Sequence, residues 1–207
     1  MGRRIDAIAR AALTLFAAAV AARGAAAADL ATDTPDATIA TLHRGLVDLT
    51  AAKPNATVEE RYRALVPLIE ATHDLPYIAE FALRRQWPML SAADRERFVA
   101  AFERLSVTTY ASRFKNVTAA TFKSTGGATA ADNGRMQVAT MVARANAADV
   151  SLDYLLQQRD GSWKIINVVA DGVSDLALKR AEYQRILASG TLDDLIKDLD
   201  AQTARLQ

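Results

Sequence analysis

Residues 136–169 read MQVATMVARANAADVSLDYLLQQRDGSWKIINVV, and most of their apolar side chains recur at every second position. Alternation with a period of two is typical of a strand with one buried face. It runs through residues 136–142 and 150–156, and the apolar run 163–169 follows the hairpin-type pair Asp160-Gly161. This part of the chain therefore predicts three antiparallel strands joined by short turns.

A further strand is predicted just before this segment. Residues 119–125 read ATFKSTG, and Asp132-Asn133-Gly134 is a turn signal of the hairpin type. The sequence thus predicts a twisted antiparallel sheet of about four strands, arranged as a meander.

Both flanks of the sheet have apolar residues at helical spacing. Side chains able to cap a helix mark where each helix begins. The predicted helices are 36–51, one from the capping box Thr57–Glu60, one from Asp74 to about Gln86, 92–114, 174–188 capped by Ser174, and one capped by Thr191. Helices, then strands, then helices predict an α+β fold, with the helices segregated to one face or end of the sheet.

The first 28 residues have the three-part layout of a secretory signal peptide. Arg3 and Arg4 give a positive start, residues 11–22 are apolar but too short to span a bilayer, and residues 25–28 are small. We expect residues 1–28 to be cleaved and 29–207 to form one domain of an exported, soluble, periplasmic protein.

Composition excludes several functions. With no cysteine, the chain has no disulfide, no thiolate metal site and no cysteine nucleophile. A formal net charge of +1 gives no reason to expect a nucleic-acid partner.

Residues suited to catalysis or metal binding are scarce. His43 and His73 are the only histidines, and neither belongs to a metal-binding motif. Ser174 lacks the G-x-S-x-G context of a hydrolase nucleophile and suits a helix N-cap better. We therefore expect no catalytic residue, no metal and no cofactor.

Several blocks, taken in order, resemble one family. The most specific are Asp160–Lys164 and Asp171–Ser174. The others are Val66–Ile69, Asp74–Pro76, Phe81–Leu83, Trp87, Ser91–Phe98, Phe102, Thr109–Ala111, Phe114 and Leu195–Ile196. This order resembles the MlaC family of periplasmic phospholipid-binding proteins, also called the toluene-tolerance or auxiliary organic-solvent-tolerance family. Some blocks look closest to its hopanoid-associated branch. Arg84 stands where the family usually has glycine, and Asn167 where it often has aspartate.

The resemblance implies a sheet and helices that enclose an apolar cavity for acyl chains, and no enzyme activity. It implies a phospholipid or hopanoid ligand. It also implies two partners, an outer-membrane lipoprotein complex and the lipid-binding component of an inner-membrane ABC transporter, between which the protein shuttles.

If such a cavity lies between the sheet and the long helices, the apolar faces of these elements predict its lining. The last strand offers either Ile166 with Val168 or Ile165 with Val169, and the sequence does not decide between them. Periodicity also does not distinguish a hollow interior from a solid core. The expected lipid-binding residues are Leu65, Ile69, Phe98, Phe102, Leu105, Val138, Val142, Leu152, Tyr154, Leu156, Ile166 and Val168.

Two other functional classes stay open at this point. One is a small-ligand enzyme shaped like nuclear transport factors, for which His73 and Asp74 are the only plausible polar pair. The other is an envelope assembly factor whose apolar residues are all core and which binds no ligand.

Overall fold

A computed structural model describes residues 30–144 and 147–207 of the chain. The expected signal peptide, residues 1–28, lies outside the described residues.

The described part of the chain contains six α-helices, and side-chain caps define where they begin. Each helix follows a capping residue whose side-chain oxygen accepts a hydrogen bond from a backbone N–H of the first helical turn. The capping residues are Thr34, Thr57, Asp74, Ser91, Ser174 and Thr191. Within the described residues, no helix is both long enough and apolar enough to cross a membrane. The helices are α1 Pro35–Ala52, α2 Val58–Thr72, α3 Leu75–Leu83, α4 Ala92–Arg113, α5 Asp175–Ser189 and α6 Leu192–Leu206.

Helix α3 ends three residues earlier than the sequence predicts. Arg84 has φ 32°, in the left-handed region that breaks the helix and that glycine occupies with the least strain. This conformation explains why glycine suits the position. A short 3₁₀ turn, Trp87–Met89, then leads to α4.

The sheet is antiparallel, with the strand order β1-β3-β4-β5-β6. Strand β2 pairs with the same edge of β3 as β1 does, because β4 occupies the other edge. The α+β prediction is confirmed, although residues 30–144 and 147–207 contain six strands rather than about four. The strands are β1 Phe122–Ser124, β2 Thr129–Ala130, β3 Met136–Val142, β4 Val150–Arg159, β5 Ser162–Ala170 and β6 Val173–Ser174.

Two tight turns join the last three strands. Asp160 and Gly161 have φ 48° and 82°, and Asp171 and Gly172 have φ 47° and 80°. Two consecutive positive φ values are what a two-residue hairpin of the I′ type requires. The first turn was predicted. The second was missed because β6 has only two residues and carries no periodic signal.

A β-bulge interrupts the alternation of β5. Leu156 pairs with Ile165 and Tyr154 pairs with Val168, so β5 has one more residue than β4 over this stretch. Ile165 and Val168, three positions apart, therefore lie on the same face of the sheet. The sequence offered Ile166 with Val168 or Ile165 with Val169, and both pairs assume uninterrupted alternation along β5. Ile166 is the extra residue at the bulge.

A buried arginine links α2 to the end of α4. Arg61 is 1% exposed, and its guanidinium donates hydrogen bonds to the backbone oxygens of Ala111 (3.1 Å) and Phe114 (2.7 Å). It also donates to Thr50 Oγ1 on α1 at 3.2 Å. A cation at a helix C-terminus satisfies free carbonyl groups and interacts favourably with the helix dipole.

We predict that Arg61→Ala lowers the free energy of unfolding by about 3 kcal/mol, because the carbonyl groups of α4 lose a charged donor in a buried site. Urea denaturation followed by circular dichroism measures the change. Arg63→Ala is the matched control: this arginine lies on the same helix, its side chain is 72% exposed and it pairs with Glu59. Its loss changes stability by no more than about 0.5 kcal/mol. Equal effects of the two substitutions would contradict the role of Arg61.

Candidate functional site

A cavity of about 320 Å³ lies between the sheet and helices α3, α4 and α5; we call it the main cavity. Strands β4 and β5 form its floor with Leu152, Tyr154, Ile165 and Val168. The helices form its walls with Leu75, Ile78, Phe102, Ser106, Thr109, Tyr110, Leu176 and Leu178. It occupies the place expected from the sequence, between the sheet and the helices.

Four of the expected lipid-binding residues line the main cavity: Phe102, Leu152, Tyr154 and Val168. They come from three elements, α4, β4 and β5, and the strand pairing places Tyr154 directly beside Val168.

The other expected residues lie elsewhere. Leu65, Ile69, Phe98, Leu105 and Leu156 belong to the solid core, where each is at most 5% exposed. Val138 lines a separate groove between α1 and the strands β1 and β3. Val142 lies at the end of β3, beyond the lining, and Ile166 is buried at the bulge without facing the main cavity.

The stripe of α4 that lines the main cavity shares only Phe102 with the residues expected from the sequence. Phe98 and Leu105 face the core, whereas the cavity stripe contains Phe102, Ser106, Thr109, Tyr110 and Arg113. These positions are separated by four, three, one and three residues, which is helical spacing. The signal in the sequence that could have found this wall was a half-polar stripe at helical spacing.

Each of two tyrosines at the cavity is hydrogen-bonded to a histidine. Tyr110 OH lies 2.9 Å from His73 Nε2, and Tyr154 OH lies 3.0 Å from His43 Nε2. The other ring nitrogen of His73 lies 2.9 Å from Thr72 Oγ1. A hydroxyl at an apolar wall is costly unless it is hydrogen-bonded, and these pairs meet that requirement.

Burial makes both histidines neutral at neutral pH. Desolvation lowers the pKa of His43 to about 4 and that of His73 to about 3. Burial also raises the pKa of Tyr110 and of Tyr154, so both phenols stay protonated. The inner wall formed by these four side chains therefore carries no charge.

Charge and exposed apolar surface meet at the mouth of the main cavity. Arg113 and Lys179 line it, and Lys179 pairs with Asp175 at 2.9 Å. Val173 and Leu178 also line it, and they are 52% and 59% exposed. The mouth thus combines cationic groups with an apolar rim.

His73 and Asp74, the pair considered for catalysis, do not form a hydrogen-bonded dyad. The nitrogens of His73 bond to Thr72 and Tyr110, while Asp74 accepts from Tyr77 N and Arg159 Nε. Across residues 30–144 and 147–207, no group of three or more His, Asp or Glu side chains is placed to hold a metal ion.

These features define an α+β protein with an internal apolar cavity whose mouth combines exposed apolar side chains, Arg113 and the Lys179–Asp175 ion pair. The family model described as MlaC protein matches residues 40–201, and the chain belongs to the MlaC family.

A solved structure has the same fold. It is the phospholipid-binding protein from Ralstonia solanacearum in complex with a phospholipid, with a TM-score of 0.71 and 21% sequence identity. The match covers 82% of this chain and 97% of that chain. No curated protein sequence matches the chain.

The buried histidines predict a loss of stability in mild acid. Their folded pKa values, about 4 and about 3, lie below the ordinary value of 6.5. Between these limits the unfolded chain binds more protons, so the free energy of unfolding falls as pH falls, by at most about 1.4 kcal/mol per pH unit for each histidine. Urea denaturation at pH values between 6.5 and 4 measures the slope.

His43→Gln keeps a polar partner for Tyr154 and removes one of the two titrating groups. We expect the histidine part of the slope to fall by about half in this variant. An unchanged pH dependence would mean that His43 does not titrate as its burial requires.

Proposed function

We propose that this protein is a periplasmic lipid carrier that holds the acyl chains of a phospholipid in the main cavity. Two observations support the proposal: the chain belongs to the MlaC family, and it contains an apolar cavity with an uncharged inner wall. The signal-peptide pattern of residues 1–28 supports a periplasmic location. A carrier of this kind needs no catalytic group.

The free energy of burying acyl chains explains why such a carrier needs a closed cavity. Each methylene group removed from water contributes about 0.8 kcal/mol, so a chain of ~16 carbons contributes on the order of 10 kcal/mol before ordering costs. The volume of the main cavity, about 320 Å³, lies at the lower end of the range for ligand sites. The residues that we propose to contact the chains are Phe102, Leu152, Tyr154 and Val168, with Ile165 added by the bulge.

The mouth of the main cavity is the place where we propose that lipid passes between the carrier and its donor or acceptor. A lipid with this much buried surface leaves for water very slowly, so a donor or acceptor must meet the carrier at the opening. Among the described residues, only three large apolar side chains are markedly exposed, and two of them, Val173 and Leu178, lie at this opening. Arg113 is suitably placed to pair with a phosphate headgroup, whereas Lys179 is already paired with Asp175.

The remaining steps of the proposal come from the family. The donor and acceptor are an outer-membrane lipoprotein complex and the lipid-binding component of an inner-membrane ABC transporter, between which the carrier shuttles. A hopanoid is the alternative ligand, and its rigid rings distinguish it chemically from a diacyl phospholipid.

We expect the protein purified from a bacterial periplasm to contain phospholipid at close to one molecule per chain, as measured by mass spectrometry of organic extracts. Leu152→Glu places a carboxylate in the lining of the main cavity, where burial opposes ionisation, and should reduce the bound lipid at least about tenfold. Met89→Glu is the control, because Met89 is 84% exposed and lies outside the lining.

Circular dichroism establishes that both variants are folded. A folded Leu152→Glu variant with its full complement of lipid would contradict the assignment of the cavity. Wild-type protein that yields no lipid after gentle purification would contradict the carrier function.

A further inference from the structure

An outer surface around helix α3 and the turn that follows it carries every cation–π contact found in residues 30–144 and 147–207. In each contact an arginine guanidinium lies 5.2–5.4 Å from the centre of an aromatic ring. The rings belong to α3 and the turn, whereas the arginines come from four places in the chain. We call these seven residues the arginine–aromatic surface: Tyr77, Phe81, Trp87, Arg84, Arg95, Arg159 and Arg180.

The arginine–aromatic surface is continuous, and it lies outside the main cavity. Tyr77 and Phe81 are one helical turn apart on α3, and their rings stack with 6.0 Å between centroids. Tyr77, Trp87 and Arg159 line one depression of the outer surface. Ile78 of the same helix lines the main cavity, so α3 separates that cavity from the arginine–aromatic surface.

Positive charge is concentrated at the Phe81 end of this surface. The guanidinium groups of Arg84 and Arg180 both lie over the Phe81 ring, and the exposed Arg85 follows Arg84 in the chain. Within the described part of the chain, neither Arg84 nor Arg180 takes part in an ion pair.

The carboxylates of this region lie at the other end, beside Tyr77. Asp74, Glu80 and Asp160 all line the depression there, and Asp74 pairs with Arg159 at 3.0 Å. The guanidinium groups at Phe81 are therefore free to bind an anion outside the chain.

Arg84 holds its position at a cost to the backbone. Its φ of 32° is a conformation that glycine adopts with less strain. Strained backbone conformations occur preferentially at functional sites, where the strain places a group that binding requires. At this position it places an unpaired guanidinium beside that of Arg180.

The chemistry of the arginine–aromatic surface suits an array of phosphate groups. A guanidinium that stacks on a ring keeps its N–H groups free at the edge, and its planar fork matches the oxygens of a phosphate. Tyrosine and tryptophan are enriched where proteins meet the headgroup region of a membrane. Four arginines spread over three rings fit many phosphates on one plane better than a single small anion.

We propose that the arginine–aromatic surface binds the face of a bilayer that contains anionic phospholipids, with Arg84 and Arg180 donating hydrogen bonds to lipid phosphates. The formal net charge of the whole chain is only +1, so the attraction is local to this surface. The proposal goes beyond the carrier function, because it brings the protein to a membrane without using the main cavity.

Removing the two unpaired arginines tests the proposal. Arg84→Gly also relieves the positive φ, and Arg180→Gln keeps a polar side chain. The control is a second double variant, Arg63→Gln with Arg104→Gln, which removes the same formal charge. These two side chains are 72% and 46% exposed and lie on α2 and α4, outside the arginine–aromatic surface.

Binding is measured by co-sedimentation with vesicles of phosphatidylglycerol or of phosphatidylcholine, and circular dichroism establishes that the variants are folded. The wild type should prefer phosphatidylglycerol and lose this preference as salt is added. Each arginine at an anionic surface contributes about fivefold to binding, so the double variant should bind phosphatidylglycerol about thirtyfold more weakly. The control should change by less than about threefold.

An equal loss in the two double variants, or wild-type protein that binds both vesicles alike, would overturn the proposal. Binding to soluble polyglutamate that requires Arg84 and Arg180, without binding to vesicles, would also overturn it and assign the surface to an acidic protein partner. The phospholipid retained in the main cavity, measured by mass spectrometry, should be equal in the wild type and both variants. A failure of vesicle binding is therefore distinguishable from a failure of the carrier function.

Discussion

The interior of this protein depends on the pairing of each cavity-facing tyrosine with a histidine. Tyr154 is 2% exposed and Tyr110 faces the main cavity, so each hydroxyl needs a partner that water does not provide. His43 and His73 supply those partners at 3.0 and 2.9 Å, and burial keeps both rings neutral. Polar groups thereby form part of an apolar wall at little cost. Without these bonds, the same positions would favour solid aliphatic packing or the entry of water.

Local chemistry made the secondary structure largely predictable. The capping residues Thr57, Ser91, Ser174 and Thr191 predicted where four helices begin. The alternation of apolar and polar side chains predicted strands β3 and β4. The cavity lining was less predictable, because Phe98 and Phe102 are alike in sequence and both belong to the core, although only Phe102 also lines the main cavity. The bulge beside Ile166 has no periodic signal, and the buried role of Arg61 depends on where α2 meets α4. These features follow from tertiary packing, which a single sequence does not specify.

The arrangement of the main cavity gives the proposed carrier two distinct regions. At the mouth of the main cavity, Val173 and Leu178 expose apolar surface beside Arg113 and Lys179, a combination that matches the two halves of a phospholipid. Deeper in the protein, the Tyr110–His73 and Tyr154–His43 hydrogen bonds form an inner wall that carries no charge. Membership of the MlaC family agrees with the proposed carrier function.

The most direct test is a crystal structure of the protein loaded with a phospholipid whose acyl chains carry bromine. Anomalous scattering locates each bromine without relying on the interpretation of weak chain density. The account predicts peaks inside the main cavity, close to Phe102, Leu152 and Val168. Bromine found only on the outer surface, while the lipid is bound in solution, would contradict the claim that the protein carries acyl chains in its interior.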